Sequence, residues 1–404
     1  MVRVLLLVLG LPVVALASVT VEQLQSSADA LKAKGDAVGA LAAYEEAAAL
    51  EPKSAHLQDE IGFLLAVMNR REEAIEHFKR AIDLDPHFAP AQYHLGVSYW
   101  LAQDEARSIP YLQTAAALDP DNAAYRSKLG QALEASGQNQ EAIPHLKAAT
   151  VLQPADALSW NSLGLALQRT GDALAALDAY RQAVDLAPLN ADFRNNYGLM
   201  LVHTRRADEG IVQFEKILAE SPSNDTARFN IGFAHLQKSE LDLAIAAFRE
   251  VIAHNANNAP AHYNLGVALK NKDDVDGAKV EFSRALEIDP SLFEAHYMIG
   301  IACWQSGDFD AAAEQMRAAI AQRPDYGAAY FILGTVLKQK GQLAAAEEPL
   351  RTAIRLKPDD PGPYNTLAQV LRQMGDIEGS KQMSAEGARV KQLGESKLGV
   401  MLGR

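Results

Sequence analysis

Side-chain amides and aromatic rings recur along this chain at one fixed interval. Asn196, Asn230 and Asn264 lie 34 residues apart, and so do Phe229, Tyr263, Tyr297 and Phe331. Asn195 and Asn271 add further amides, and Trp100 and Trp304 add two indoles at a shared point of the same interval. A carboxamide both donates and accepts, so a row of amides suits the alternating donors and acceptors of an extended backbone. Large aromatic side chains are enriched where proteins meet. This is chemistry for holding a chain rather than for breaking bonds. There is no glycine loop followed by a phosphate-binding lysine, no metal-ligand spacing and no nucleophile elbow. The ten histidines are scattered, with His56, His262 and His296 in separate units. The sequence predicts no catalytic residue, no metal and no cofactor.

The elements that position these residues follow from the same interval. Proline stands at Pro52, Pro86, Pro120, Pro154, Pro188, Pro222, Pro290, Pro324 and Pro358, and Ala256 fills the one missed beat. Calling the proline position 32 of a 34-residue unit, the first unit begins at Val21. Position 7 is bulky and apolar, as at Leu95 and Leu265, and position 8 is glycine in every internal unit, Gly62 to Gly334. Positions 20 and 27 are mostly alanine, although Ile217 and Val251 break the rule at position 27. Position 24 is bulky, as at Phe78, Tyr180 and Phe282. These offsets put one apolar face on each of two short helices per unit, A and B. Small residues let the two axes approach, and large ones fill the space between them. Gly35, Gly137, Gly171, Gly307, Gly341 and Gly375 are expected to end helix A in a left-handed cap. Asp36, Asp172, Asp308 and Asp376 are expected to cap helix B. Pro110, Pro144 and Pro349 predict second helices that start late or bend slightly.

This pattern resembles the tetratricopeptide repeat (TPR) family over residues 21–394, in eleven units. The resemblance implies an all-α solenoid of antiparallel helix pairs, stacked as a right-handed superhelix around a concave groove lined by helix A. On that basis positions 2, 5, 6, 9, 12 and 13 face the groove. The groove residues are then Asn195, Asn196, Asn230, Asn264, Asn271, Phe229, Tyr263, Tyr297, Phe331, Trp100 and Trp304. The TPR arrays of O-linked N-acetylglucosamine transferases are similar and carry an asparagine ladder at the same place; nothing here resembles their catalytic domain. Two readings of the asparagines stay open, peptide binding and stacking between repeats. TPR clamps for chaperone tails need Lys at position 5 and Asn at position 9, and no unit has either. The last unit, with Ser380, Ser384 and Gly387, is a degenerate polar cap, as the end of a solenoid requires.

Residues 1–17 have the form of a secretory signal peptide: Arg3, an apolar run, then Ala15-Leu16-Ala17. The run is too short for a spanning helix, so membrane contact is expected only in transit. The expected organisation is a signal peptide at 1–17, a solenoid at 18–394 and a tail at 395–404. Asn224-Asp225-Thr226 is a glycosylation sequon in an expected exposed turn. The single cysteine, Cys303, falls on the core face and forms no intrachain disulfide. Export without paired cysteines points to a bacterial periplasm or the extracellular space. The formal charge of −13 argues against nucleic acid as a partner. The expectation is a non-enzymatic scaffold that binds a protein or peptide. An accessory subunit of an envelope enzyme or secretion machine, and a carrier of small apolar or glycan ligands, are the alternatives.

Overall fold

The computed structural model describes residues 20–401, with side chains described through residue 395. The expected signal peptide at residues 1–17, with cleavage expected before Ser18, lies outside the described residues. All regular structure among the described residues is helical. The chain forms two compact units, one ending at Phe193 and the other beginning at Arg194. The first holds α1 (Val21–Ala33), α2 (Ala37–Leu50), α3 (Ala55–Val67), α4 (Arg71–Leu84), α5 (Ala89–Leu101), α6 (Glu105–Leu118), α7 (Ala123–Ala135), α8 (Asn139–Leu152), α9 (Ala157–Arg169) and α10 (Ala173–Leu186). The division falls inside α11 (Ala191–His203). The second unit continues with α12 (Ala207–Glu220), α13 (Asp225–Gln237), α14 (Leu241–His254), α15 (Ala259–Asn271), α16 (Val275–Ile288), α17 (Phe293–Gln305), α18 (Phe309–Gln322), α19 (Gly327–Gln339), α20 (Leu343–Leu356), α21 (Pro361–Gln373) and α22 (Ile377–Met401). Odd helices are the A helices of the repeat and even ones the B helices.

The core is the small-against-large packing expected from the period. Ala40, Ala74, Ala244 and Ala278 are fully buried, and so are Phe214, Phe248 and Phe282 at position 24. Position 8 is glycine because nothing larger fits. A Cβ on Gly266 would stand 2.7 Å from a carbon of the Phe282 ring, and one on Gly62 equally close to Phe78. Cys303 is buried, and Ile217 and Val251 are accommodated in the core.

Caps fix the helix ends. Asp36, Asp172, Asp308 and Asp376 each accept from the backbone N–H three residues on. The six glycines of position 15 all have positive φ, as expected. The other five units use the same left-handed turn without glycine, at Asn69, Gln103, Arg205, Ser239 and Asp273.

The late start expected of the proline-bearing helices is not found. α6, α8 and α20 begin at position 17, as the other internal second helices do. In α6 the turn before Pro110 is anchored: Asp104 caps it, and buried Ser108 donates to the Gly96 carbonyl at 2.8 Å. The last helix, α22, is 25 residues long and continues past residue 394, so the expected tail boundary falls within a helix.

Candidate functional site

Within each unit, an A helix touches the next A helix: α3 meets α5, α5 meets α7, α13 meets α15, and α19 meets α21. No two successive B helices meet to the same extent. Each unit therefore curves toward its A helices, and their exposed side chains line its inner face.

Three sets of polar contacts hold this face in register. The first is at position 4, in the first turn of each A helix. Its side chain donates to the backbone carbonyl of position 32 in the preceding repeat. Gln92 bonds Pro86 at 3.1 Å, Arg126 bonds Pro120 at 3.0 Å, Trp160 bonds Pro154 at 2.9 Å, Arg228 bonds Pro222 at 2.6 Å and Tyr364 bonds Pro358 at 3.2 Å. His262 makes the same bond to Ala256 at 3.2 Å, so the contact survives where the proline is lost. The second set joins position 5 to position 6 of the next repeat. Asp59 meets His94 at 2.9 Å, and Asn230 donates to Asn195 at 2.5 Å. The third joins position 12 to position 13 of the next repeat. Glu134 pairs with Arg169 at 2.9 Å, and the Trp304 indole donates to Gln339 at 2.5 Å.

The residues singled out by sequence fall into this framework as follows. Asn195 and Asn230 are bonded to one another, and Asn230 is only 5% exposed. Asn264 donates to the Pro260 carbonyl of its own helix at 2.9 Å. Asn196 is half-buried in α11 and is also partnered. The aromatic row of position 5 is half-buried and packs between helices. Phe229 lies 5.4 Å from the Phe248 ring, Tyr263 lies 5.6 Å from Phe282, and Tyr297 meets Tyr326 edge-on at 5.1 Å. Phe331 packs with Tyr297 and Trp304 on one core cluster. Burial pushes the Tyr263 hydroxyl up to about 12 and raises that of Tyr297. Trp100 lies in the first unit with the Lys128 ammonium 6.0 Å from its ring centroid, and burial lowers the Lys128 pKa. Asn224, in the sequon, is a half-buried helix cap that accepts from the Ala227 N–H.

Asn271 is different, because it is exposed and belongs to a row of its kind. From α13 to α21, position 13 reads Gln237, Asn271, Gln305, Gln339 and Gln373, the last residues of α13, α15, α17, α19 and α21. All five are exposed. Gln237, Asn271, Gln305 and Gln373 make no side-chain hydrogen bond among the described residues, and Gln339 accepts only from Trp304. In the first unit the same position holds Ala33, Val67, Leu101, Ala135 and Arg169. Sequence reasoning found one member of the row and missed four because Asn and Gln were not read as one type. Beside the row, the half-buried Phe233, Val267 and Ile301 of position 9 supply an apolar floor. A cleft of about 400 Å³ opens at its start, lined by Val202, His203, Arg205, Phe233, Gln237 and Lys238. Among the described residues no group of three or more His, Cys, Asp or Glu side chains converges on a metal position. No helix among them is long and apolar enough to cross a membrane.

A tetratricopeptide repeat model matches residues 64–123, 127–188, 161–225 and 297–361, and a second such model matches residues 235–300. No curated protein matches the sequence. Among solved structures the chain is similar to yeast Tom70, at 16% identity and a TM-score of 0.51, over 95% of this chain and 94% of that one. It is also similar to a tetratricopeptide repeat protein from Parabacteroides merdae, at 14% identity and 0.54, over 62% and 98%. The APC/C hetero-tetramer Cut9-Hcn1 gives 13% identity and 0.50, over 87% and 90%. At these identities the likeness is one of fold.

Proposed function

The chain belongs to the tetratricopeptide repeat family, and from that premise we propose that it is a non-enzymatic scaffold that binds an extended segment of another protein. The observation that carries this is the row of five exposed amides on the inner face of the second unit, at one per repeat. Neighbouring helices pack about 8–10 Å apart. An extended chain rises about 3.3 Å per residue. The row therefore presents one amide to roughly every third residue, and each can donate to a carbonyl and accept from an N–H. Four of the five have no hydrogen bond to give up within the chain. The apolar floor at position 9 supports side chains of the bound segment.

The scaffold acts outside the cytoplasm in this reading, in a bacterial periplasm or beyond. The support is residues 1–17, with their charged start, apolar run and small-residue cleavage signal. Membrane contact is then confined to the transit of that segment.

Panning a displayed random-peptide library on the mature array tests the proposal. The comparison is a variant with Gln237, Asn271, Gln305 and Gln373 changed to Ala. Alanine is the best helix former, so the variant keeps its fold, checked by circular dichroism. Wild type is expected to enrich peptides that the variant does not hold. Enrichment of the same peptides by both proteins contradicts the assignment of the row.

A further inference from the structure

Position 12 precedes each amide of the row, and from α13 to α21 it holds Leu236, Lys270, Trp304, Lys338 and Arg372. The three cations share one face but no carboxylate. Among the described residues none of them makes an ion pair, and Lys338 donates only to the neutral Gln369 amide, at 2.6 Å. Lys270 and Lys338 are half-buried. Burying an unpaired charge is costly, and a partner carboxylate removes that cost.

Shortage of acid does not explain this, because the chain has 51 acidic and 38 basic side chains. Nor is pairing across repeats unusual. Two positions further on, Lys238 closes on Asp208 at 2.5 Å, Lys272 on Asp242 and Lys340 on Asp310. In the first unit, charges at position 12 are matched: Lys32 pairs with Glu60 at 2.5 Å and Glu134 with Arg169 at 2.9 Å. The three open cations suit the C-terminal ends of their helices, but a helix end carries only about half a charge and leaves each cation without a counter-ion. From repeat 7 to repeat 11, the one acid at a groove position is Glu294.

We infer that the segment held by the second unit is acidic, with carboxylates that meet Lys270, Lys338 and Arg372. This rests on the row of amides being a main-chain cradle. It also sets a register. Lys270 and Lys338 are two repeats apart, and Lys338 and Arg372 one. At about three extended residues per repeat, the carboxylates stand about six and then three residues apart.

Fluorescence anisotropy with labelled peptides tests this on the mature chain. One peptide carries glutamates at that spacing. A second has glutamine at the same places, and a third has the glutamates moved to adjacent positions. The first is expected to bind roughly tenfold more tightly than the other two, since three charge pairs at the protein surface together reach about that ratio. Changing Lys270, Lys338 and Arg372 to Gln is expected to abolish the advantage without moving the melting temperature. Equal binding of the glutamate and glutamine peptides overturns the inference and leaves the scaffold reading standing. Failure of all three peptides to bind also overturns it, and the library panning then decides the scaffold reading separately.

Discussion

The Asn230 side chain donates its amide to Asn195 Oδ1, 2.5 Å away on the preceding A helix, and is itself almost wholly buried. A bond of this kind holds successive repeats in register. Asn264, one repeat on, bonds only within its own helix. Asn230→Ala leaves Asn195 without that partner and is expected to cost about 1–3 kcal/mol of stability. Asn264→Ala is expected to stay within about 0.5 kcal/mol of wild type. Urea unfolding of the two variants checks this, and equal losses contradict it.

The backbone plan was legible because it rests on residues that allow few substitutes. Gly266 has no room for a Cβ beside Phe282, and Asp172 caps α10 by accepting from the Ala175 N–H with a short side chain, so both types recur and both are readable. The bond from position 4 to the position 32 carbonyl was not readable. Gln92, Arg126, Trp160, Arg228, His262 and Tyr364 all make it, and their common property is a donor at the end of a long side chain rather than a residue type. The amide row was half legible for the same reason. Asn271 stood out, while Gln305 was hidden by one extra methylene. Sequence could place Asn196, Asn230 and Asn264 at one position of the repeat. It could not show that Asn195, at the neighbouring position, takes up the Asn230 amide.

The left-handed turn between helices A and B is a second place to measure. Arg205 and Ser239 hold positive φ where six other repeats have glycine. A side chain in this conformation costs roughly 1–2 kcal/mol, part of which glycine gives back through its freer unfolded chain. Arg205→Gly and Ser239→Gly are each expected to raise stability by about 0.5–1 kcal/mol. Thermal unfolding checks the sign, and a lower melting temperature for both contradicts it.

Alkaline pH is expected to loosen the array through its buried phenols. Burial first, then the nearby Glu294 carboxylate and Tyr326, push Tyr263 from its ordinary 10.0 to about 12. Burial likewise takes Tyr125 to about 12. A phenol with a raised folded pKa keeps its proton after the unfolded chain has lost it. Its contribution is full below about pH 10 and is lost as pH rises from about 10 to about 12. The urea midpoint is expected to fall across that window, and less steeply in Tyr263→Phe. An unchanged slope in that variant removes Tyr263 from the account.

Site-specific photo-crosslinking tests the central claim most directly, that a partner lies along the amide row of the second unit. A photoreactive side chain is placed at Gln305 on the row, or at Arg317, which is exposed on the B helix of the same repeat. The full chain is expressed in its native host and irradiated. The account predicts a protein adduct from Gln305 and none from Arg317. An adduct from Arg317 with none from Gln305 contradicts it.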